Sequence, residues 1–394
     1  MTAPERTAGS SALRVALDVS AVPDRPVGAG HYILQLARQL ATRADVDLVL
    51  CSRTTDRARW APLVAPGDLL AAAPGPRPLR LAWEQLRLGP LIGASGADVH
   101  HGPHYTMPRW SPVPSVVTVH DLSFFDAPEW HERSKVALFR RAIARAARDA
   151  AVVVCPSRIT AEGLRTWCRV DADVVVAPHG VDPDRFRPEE PSPGADAALL
   201  ADLDDRLTAG RPLLVFVGTL EPRKDVPTLV RAFAAVAARH PEALLVLAGG
   251  RGWGGDDVDA AVAMSGLGAR VIRTGYVDDR AIPALLRSAT AVVYPSLYEG
   301  FGLPALEALA CGSLLVTTSG TAMEEVAGAS ALLVPPGDAS ALGEVIDSVL
   351  SGRQDDRAAS ERRSEGFAIA AAHTWEASTD IHVGAYRTAV ELGR

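Results

Sequence analysis

The sequence predicts an α/β protein made of two doubly wound domains, each a parallel sheet covered by helices. The chain has 394 residues, a length that favours two domains over one. Short β-rich apolar runs alternate with longer amphipathic stretches, and a proline-rich segment interrupts this alternation once, near the middle of the chain. We expect the two domains to face each other across a cleft, which would leave room for a ligand.

The first half of the chain supplies the strands of the first sheet. Their apolar runs are LRVALDV at 13–19, SVVTVH at 115–120, AVVVCP at 151–156 and DVVVAP at 173–178. Alternation of such runs with helices is typical of parallel sheets. The segment from about 183 to 211 then carries four prolines and several acidic residues, and we expect it to be a linker.

Beyond this segment the alternation restarts and predicts a second sheet. Its apolar runs are PLLVFVG at 212–218, ALLVLAGG at 243–250, AVVYPS at 291–296 and SLLVTT at 313–318. We therefore place one Rossmann-like domain at 1–185 and a second at 186–373. The last stretch, about 374–394, has helical spacing and is expected to pack on either domain, since the sequence leaves that choice open.

Composition narrows the class of protein. Hydrophobic residues make up 48% of the chain and charged residues 22%, so each half can bury a full core. The formal net charge of −7 argues against a nucleic-acid-binding protein, which needs a basic face to neutralise phosphates. The cysteines have neither disulfide nor zinc spacing, and the beginning of the sequence lacks a signal-peptide pattern. We expect a cytoplasmic protein without a metal.

The segment VYPSLYEGFGLPALEALACG, at 293–312, is the richest in candidate site residues. A strand is expected to end near Pro295, and Pro304 is suited to the first turn of a helix. The amides expected to point out of this helix are those of Gly302, Leu303, Ala305 and Leu306. The N-terminus of a helix favours phosphate, because its unpaired donors and the macrodipole attract negative charge.

Two carboxylates flank this predicted anion site. Glu299 lies in the loop before the helix, and Glu307 is expected in its first turn. One carboxylate could bind sugar hydroxyls and the other a ribose. A purely structural alternative is that Glu307 complements the helix N-terminus.

A second motif, VGTLEPRKD at 217–225, places two cations just after the first strand of the second domain. A turn containing Gly218 precedes Arg223 and Lys224. An arginine fork and a lysine point charge at the carboxyl edge of a sheet can neutralise a diphosphate leaving group without a metal.

The two glutamates, separated by seven residues in the setting YEGFGLPALEALACG, resemble the signature of retaining nucleotide-sugar glycosyltransferases with the GT-B fold. In that family the first glutamate contacts hydroxyls of the transferred sugar and the second contacts the nucleotide ribose. The resemblance assigns these roles to Glu299 and Glu307, and donor diphosphate binding to Arg223 and Lys224. It implies transfer of a hexose with retained anomeric configuration, no carboxylate nucleophile and no metal.

The resemblance extends to the first domain, which it makes the acceptor side. His120 follows a strand in VTVHDLSFF, and the family carries a histidine there that hydrogen-bonds the donor sugar. Asp121 is expected to orient it. With the family's N-terminal glycine loop and base-reading loop included, the implied donor-binding residues are Gly28, Gly30, Gly218, Tyr276, Val277, Gly302, Leu303 and Glu307.

The stretch 80–108 resembles the acceptor-side region of mannosyltransferase-like members, and favours GDP-mannose over a UDP-sugar as the donor. We expect His101, His104 and Tyr105 to line the acceptor pocket. His100 belongs to the same local histidine cluster. The acceptor is expected to be a hydroxyl of a glycan, a lipid-linked molecule or a small molecule.

The basic segment from Arg133 to Arg148 could dock peripherally on the inner face of an anionic membrane, or simply be a solvated helix.

Three other functions are weighed against a glycosyltransferase. A nucleotide-sugar epimerase would share the architecture but need no acceptor. An inactive nucleotide-sugar-binding protein would not need all the candidate site residues together. A dehydrogenase is disfavoured because Ile33 stands at the third glycine position of the dinucleotide fingerprint that Gly28 and Gly30 would begin.

Overall fold

The computed structural model describes residues 12–252 and 255–393. Within these residues the chain forms two compact units. The first unit comprises 12–128, 132–179 and 375–393, and the second comprises 129–131, 180–252 and 255–374. Each unit contains one parallel sheet with helices packed on it, so the two predicted Rossmann-like folds are confirmed.

The first sheet has its strands in the order β3-β2-β1-β4-β5-β6-β7, all parallel. The strands are β1 (Leu13–Asp18), β2 (Val46–Arg53), β3 (Leu69–Ala73), β4 (Val99–Gly102), β5 (Ser115–Thr118), β6 (Val152–Cys155) and β7 (Asp173–Val176). Strands β4, β5 and β6 are buried along their whole length. Burial on both faces explains the apolar runs around β5 and β6.

Helices connect these strands in the first unit. They are α1 (Ala29–Ala41), α2 (Arg57–Trp60), α3 (Arg77–Trp83), α4 (Gly89–Ser95), α5 (Ser123–Asp126), α6 (Arg133–Asp149) and α7 (Arg158–Trp167). Ser157 begins α7 as an N-cap whose side chain accepts a hydrogen bond from the Thr160 amide.

The second sheet has the order β10-β9-β8-β11-β12-β13, again all parallel. Its strands are β8 (Leu213–Val217), β9 (Leu244–Ala248), β10 (Val271–Gly275), β11 (Ala291–Tyr294), β12 (Leu315–Thr318) and β13 (Ala331–Val334). Its helices are α8 (Ala195–Leu203), α9 (Val226–Val236), α10 (Gly255–Met264), α11 (Ile282–Ser288), α12 (Leu303–Ala310), α13 (Ala322–Ala327), α14 (Ala339–Leu350) and α15 (Asp356–Ala372).

The strand order reverses at one place in each sheet, between β1 and β4 and between β8 and β11. Loops that leave the carboxyl ends of the two central strands lie side by side at such a switch point, and ligands of open α/β sheets bind there. The candidate site residues of each unit should therefore come from these loops.

The predicted linker at 183–211 is corrected by the structure. Helix α8 lies inside this segment, and its Leu200 is buried in the core of the second unit. Asp196 of α8 also pairs with Arg287 of α11 at 2.6 Å. The alanine and leucine content of 195–203 is enough for a helix, although the prolines before it suggest a linker.

The final helix, α16 (Trp375–Leu392), belongs to the first unit. Its Tyr386 and His382 are completely buried there. In the described residues no helix is both long enough and apolar enough to cross a bilayer.

Candidate active site

The switch point of the second sheet brings together three charged residues that are far apart in the sequence. Lys224 Nζ donates to Glu299 Oε1 at 2.8 Å, and Arg223 Nη1 donates to Glu299 Oε2. Arg223 and Lys224 follow β8, whereas Glu299 follows β11, the strand beside it. The sequence motifs predicted separately thus form one cluster.

The backbone ties the two loops of this cluster to each other. Residues Pro222–Lys224 form a short 3-10 helix, and the Leu297 amide donates to the Arg223 carbonyl at 2.8 Å. Asp225 then takes a left-handed conformation with φ of 45°. This turn directs two consecutive cations to one carboxylate, an arrangement that a regular helix or strand would not give.

Electrostatics keeps Glu299 ionised although it is buried. Lys224 is 6% exposed and Glu299 is 8% exposed. Burial alone would raise the pKa of the Glu299 carboxyl, but the charges of Arg223 and Lys224 outweigh it and lower the pKa to about 2. Arg223 also pairs with Glu221 at 3.1 Å, but that carboxylate is 36% exposed, so in the buried part of the cluster two cations face one carboxylate. An anionic ligand can replace the exposed Glu221 at Arg223.

Gly218 allows the backbone to approach this cluster closely. Its φ is 151°, and a Cβ there would lie 3.5 Å from Lys224 Nζ. On the neighbouring strand end, a Cβ on Gly249 would lie only 2.0 Å from the Gly218 carbonyl oxygen. The positive φ therefore favours glycine at Gly218, and the close approach to the Gly218 carbonyl requires it at Gly249.

The loop after β11 leads directly into helix α12, as predicted. Gly302 is its N-cap, with φ of 105°, and Pro304 is its second residue. In the described structure the Gly302 and Leu303 amides donate no hydrogen bond, so the predicted anion site retains two donors.

Two amides predicted to belong to the anion site are already used. Ala305 and Leu306 both donate to the Gly302 carbonyl, at 2.9 and 3.2 Å. Their assignment is therefore wrong, because the helix closes its first turn on its own N-cap residue. Glu307 is also one residue further into the helix than predicted, since α12 begins at Leu303.

Glu307 is half-buried, and the pKa of its carboxyl is higher than usual. Burial raises its pKa to about 7, Arg185 lowers it in part and Asp279 raises it. Arg185 donates to the Asp279 carbonyl at 2.8 Å, so its guanidinium is fixed beside this region of the second unit. A carboxyl poised near neutrality can accept hydrogen bonds from vicinal hydroxyls once it is ionised.

The predicted base-reading loop follows β10. Tyr276 is 52% exposed, whereas Val277 is 5% exposed and packs in the core of the second unit. The Val277 side chain is thus largely used in packing, and the role of this loop in reading the base stays a prediction.

In the first unit, His120 follows β5 and is 8% exposed. Its Nε2 donates to the Pro103 carbonyl at 2.7 Å, which fixes the ring and its tautomer. Because burial lowers the pKa of His120, the ring is neutral and its Nδ1 can accept a hydrogen bond from a hydroxyl. The expectation that Asp121 orients it is wrong, because that carboxylate accepts from Tyr105 and Ser123.

The structure does not support an acceptor role for His101. The side chain is completely buried, with Nδ1 2.8 Å from the Tyr386 hydroxyl and Nε2 2.8 Å from Thr118 Oγ1. His100 is completely buried as well. Both histidines are core residues, since β4 is covered on both faces.

His104 and Tyr105 lie just beyond the end of β4, where a ligand could reach. His104 lines a cavity of about 440 Å³. Tyr105 has φ of 64°, and its hydroxyl donates to Asp121 at 3.0 Å. Its ring centroid lies 5.5 Å from that of His120. Tyr105 therefore packs against His120 and helps to hold that ring in place.

The same cavity contacts the glycine loop after β1. Gly30 lines it, and a Cβ there would lie 3.1 Å from Pro23 Cδ. Gly28 is the N-cap of α1, with φ of 50°. Both glycines thus have a conformational or packing reason to be glycine.

Four cations of this cavity were not singled out from the sequence: Arg53, Arg77, Arg80 and Lys135. The spacing of Arg77 and Arg80, three residues apart on α3, is a usable signal because such residues share one helix face. Lys135 lies on α6, and only the fold places it at the same cavity.

Across 12–252 and 255–393, no group of three or more histidine, cysteine, aspartate or glutamate side chains is arranged to hold a metal ion.

Comparison with protein families agrees with the architecture of both units. Residues 26–185 match the model of Glycosyltransferase Family 4, and residues 204–365 match the model of Glycosyl transferases group 1.

Two curated relatives extend the likeness over most of the chain. The O-antigen chain mannosyltransferase B of Escherichia coli is 31% identical over 294 residues, which are 73% of this chain and 74% of the relative. The D-inositol 3-phosphate glycosyltransferase of Acidothermus cellulolyticus is 29% identical, over 92% of this chain and 86% of the relative.

Solved structures show the same fold. The sucrose-phosphate synthase of Thermosynechococcus elongatus superposes with a TM-score of 0.77 at 23% identity, covering 96% of this chain and all of that one. The Anabaena protein Alr3699/HepE in complex with UDP-glucose gives 0.72 at 18% identity, with coverage of 95% and 100%. Together with the site geometry and the relatives, these matches show that the chain belongs to the glycosyltransferases with the GT-B fold.

Proposed function

We propose that this glycosyltransferase moves a hexose, with mannose favoured, from a nucleotide diphosphate sugar to a hydroxyl of a glycan, lipid-linked or small-molecule acceptor. The observation that carries the proposal is the buried cluster in which Arg223 and Lys224 meet the Glu299 carboxylate. The Gly302 and Leu303 amides add donors at the N-terminus of α12.

The cluster supports departure of the nucleotide diphosphate. As the bond from the anomeric carbon to the diphosphate oxygen breaks, negative charge grows on the leaving group. Arg223 and Lys224 would stabilise that charge in a site shielded from water, where fixed charges act strongly. The developing phosphate charge would accept the proton of the acceptor hydroxyl as the new glycosidic bond forms.

This mechanism retains the anomeric configuration, because the acceptor attacks from the side on which the diphosphate leaves. It requires neither a carboxylate nucleophile nor a metal. Glu299 would bind hydroxyls of the sugar, Glu307 would bind the ribose, and His120 Nδ1 would accept a hydrogen bond from the sugar.

Preference for GDP-mannose rests on the relative whose name is O-antigen chain mannosyltransferase B and on the stretch 80–108. The UDP-glucose complex of the Anabaena protein makes a UDP-sugar the natural comparison. Calorimetric binding of GDP, UDP, GDP-mannose and UDP-glucose, with and without a chelator, tests donor and metal together. Tight binding of the guanosine ligands that the chelator leaves unchanged is the expected result.

The type of reaction needs a separate measurement. Transfer predicts a glycosylated product only when an acceptor is present, with the anomeric configuration of the donor, as NMR of the product would show. Formation of an isomerised nucleotide sugar from the donor alone would identify an epimerase. Binding without turnover on any acceptor would indicate an inactive nucleotide-sugar-binding protein.

We also propose peripheral contact with a membrane if the acceptor is lipid-linked. On α6, Arg140 and Arg145 are engaged by backbone carbonyls of the first unit. Arg133 and Arg141 have exposed side chains and are better placed to meet anionic lipid. Binding to anionic but not neutral vesicles, weakened by Arg133→Gln with Arg141→Gln, is expected, and equal binding to both vesicles would contradict this contact.

Location in the cytoplasm remains a prediction. The four cysteines are not paired with each other, as is usual for a protein in a reducing compartment.

A further inference from the structure

The cavity of about 440 Å³ lies at the switch point of the first sheet. Ser20 and Gly30, which follow β1, and Thr106, which follows β4, contribute to its wall. Both the position and the volume are those of a small-molecule site in an open α/β sheet.

Arg80 is the central feature of this cavity. Its side chain is buried, with 8% exposed, yet its polar contacts are long: Nη1 lies 3.4 Å from Ser20 Oγ and 3.7 Å from Glu84 Oε2. Ordinary N–H···O bonds are about 2.7 to 3.2 Å long. The guanidinium thus retains most of its donor capacity in a place where water is scarce.

Glu84, the carboxyl beside Arg80, does not fully neutralise it. Burial and the nearby Asp18 raise the pKa of Glu84 to about 7, so the carboxyl is partly protonated near neutral pH. Asp18 interacts with Arg80 as well, and burial also raises the pKa of this second carboxyl. Because the polar contacts of Arg80 are long, its guanidinium N–H groups remain available to an anion.

Two further cations stand at the same wall. Arg77 is exposed, with Cζ 5.6 Å from the Phe139 ring centroid, and Lys135 Nζ donates to the exposed Glu132 at 2.8 Å. Such a surface pair is weak and easily exchanged.

Arg53 also lines the described wall, but it pairs with Asp56 at 2.7 Å and with Asp24 at 3.0 Å. No carboxylate lines the wall among the described residues.

The cavity also adjoins the residue expected to contact the sugar. His104 lines it, and the His104 ring lies 6.0 Å from the His120 ring. Burial lowers the pKa of His104 to about 3, so this side chain is neutral and can bind hydroxyl groups. A ligand held by the cations would extend toward His120.

We propose that this cavity is a subsite for a phosphate group of the acceptor, with Arg80, Arg77 and Lys135 as its ligands. The proposal rests on the proposed function, since it names the class of acceptor: a phosphorylated sugar or polyol, or a glycan on a lipid diphosphate. Arg80 would bind phosphate as a bidentate fork from within, and the two outer cations would close the site.

Binding measurements on the full chain test the subsite directly. The probes are inorganic phosphate, glucose 6-phosphate with glucose as the neutral control, and phosphatidylcholine vesicles with or without farnesyl diphosphate. Binding of glucose 6-phosphate over glucose supports a soluble acceptor, and binding restricted to the farnesyl diphosphate vesicles supports a lipid-linked one.

Variants identify the cavity as the place of binding. Arg77→Gln and Lys135→Gln should each weaken phosphate binding roughly tenfold, the effect of losing a charge-assisted hydrogen bond. Arg80→Lys keeps the charge beside Glu84 but removes the fork, and should weaken it as much. Arg87→Gln, an exposed arginine outside the cavity, is the matched control and should change nothing.

Donor binding separates this proposal from the proposed function. Nucleotide affinity should be the same in Arg77→Gln and Lys135→Gln as in the wild type. Absence of phosphate binding in every arm, or binding that these variants leave intact, would overturn the subsite. Loss of nucleotide binding in the variants would also overturn the phosphate subsite, because it would assign the cavity to the donor diphosphate. A wild type that binds no nucleotide would refute the donor site and leave the phosphate subsite untouched.

Discussion

At the scale of single residues, the second unit is organised around a carboxylate shared by two cations. Glu299 accepts from Lys224 and Arg223, which are neighbours in the chain; Glu299 and Lys224 are buried, and the Arg223 side chain is 24% exposed. Removing one partner from such a cluster leaves an unbalanced buried charge, so single substitutions there change both charge and geometry.

Glu299→Gln tests the role of the shared carboxylate. The amide keeps the size of the side chain but cannot neutralise Arg223 and Lys224, so a nucleotide diphosphate should bind at least as tightly as in the wild type. Turnover should fall by about a hundredfold or more, as when an enzyme loses a group that contacts the reacting centre. Calorimetry with the nucleotide and initial rates of transfer measure the two effects.

Glu221→Gln is the matched control. Glu221 contacts the same Arg223, at 3.1 Å, but is more exposed, so its loss should change turnover about twofold or less. Equal losses in both variants would mean that the Glu299 effect is structural.

Glu307 offers a second test through its pKa of about 7. If the carboxylate binds the ribose, binding favours the ionised form, so the nucleotide affinity of the wild type should rise as the pH rises from 6 to 8. Glu307→Gln should lack this component. The variant should also bind a nucleotide and its 3′-deoxy analogue with similar affinity, whereas the wild type should prefer the hydroxyl form.

The same shift affects stability, with the opposite sign. The folded pKa lies above the ordinary 4.5, so ionised Glu307 costs stability above pH 7 and nothing below pH 4.5. Glu307→Gln should therefore unfold at a higher temperature than the wild type at pH 8, with the difference disappearing at pH 4. A constant difference across this range would mean that the Glu307 carboxyl, with Arg185 and Asp279 beside it, has an ordinary pKa.

Residue positions were predicted well where strand ends determine them and poorly where distant elements do. Arg223, Lys224 and Glu299 meet because each follows a strand of one sheet, which the sequence reveals. His101, in contrast, lies inside β4 and is covered by Tyr386, from the far end of the chain. No local sequence pattern predicts that contact.

At the scale of elements, the apolar strands can be predicted from the sequence, whereas the loops of the second unit depend on close approaches of the backbone. The eight apolar runs identified in the sequence are all strands, because buried parallel strands are continuously apolar. Strands such as β4 and β10 contain polar residues and glycine, so composition alone does not reveal them. Helix α8 was missed because prolines precede it.

Gly249→Ala tests how closely the loop after β9 supports the turn that precedes Lys224. Its Cβ would lie 2.0 Å from the Gly218 carbonyl oxygen, so the turn must move. We expect a loss of about 1 to 3 kcal/mol in the free energy of unfolding, typical of overpacking, and weaker nucleotide binding. Thermal unfolding and calorimetry measure these effects.

The adjacent Gly250→Ala is an internal control for this prediction. A Cβ on Gly250 has no atom within 4 Å among the described neighbours, so stability and nucleotide binding should be nearly unchanged. A similar loss in both variants would indicate that backbone flexibility, and not the contact with Gly218, explains the effect.

At the scale of the whole molecule, the chain returns to its first unit after completing the second. Helix α16 supplies Tyr386 and His382 to the core of that unit, where His382 Nε2 lies 2.8 Å from the Tyr32 hydroxyl. The sequence shows that this helix exists but not its partner, because its apolar stripe would fit either sheet. Likewise, the net charge of −7 does not predict the cationic cavity of the first unit, because a ligand responds to the charges around its site and not to the total.

Tyr386→Ala tests the dependence of the first unit on its final helix. The side chain is completely buried and hydrogen-bonds His101 at 2.8 Å, so its removal leaves a large cavity and an unpaired histidine nitrogen. We expect a loss of about 3 to 5 kcal/mol in the free energy of unfolding, as for other large aromatic deletions. Nucleotide affinity below the unfolding temperature should be retained, because the proposed donor residues after β8 and β11 belong to the second unit.

Val390→Ala, at a position on the same helix that is 39% exposed, should cost little and serves as the reference. Differential scanning calorimetry with and without nucleotide distinguishes the two units, since the ligand should raise the transition of the second unit in both variants. If Tyr386→Ala abolished nucleotide binding in the folded protein, donor binding would depend on the first unit, and the assignment of the donor site to the residues after β8 and β11 alone would be incomplete.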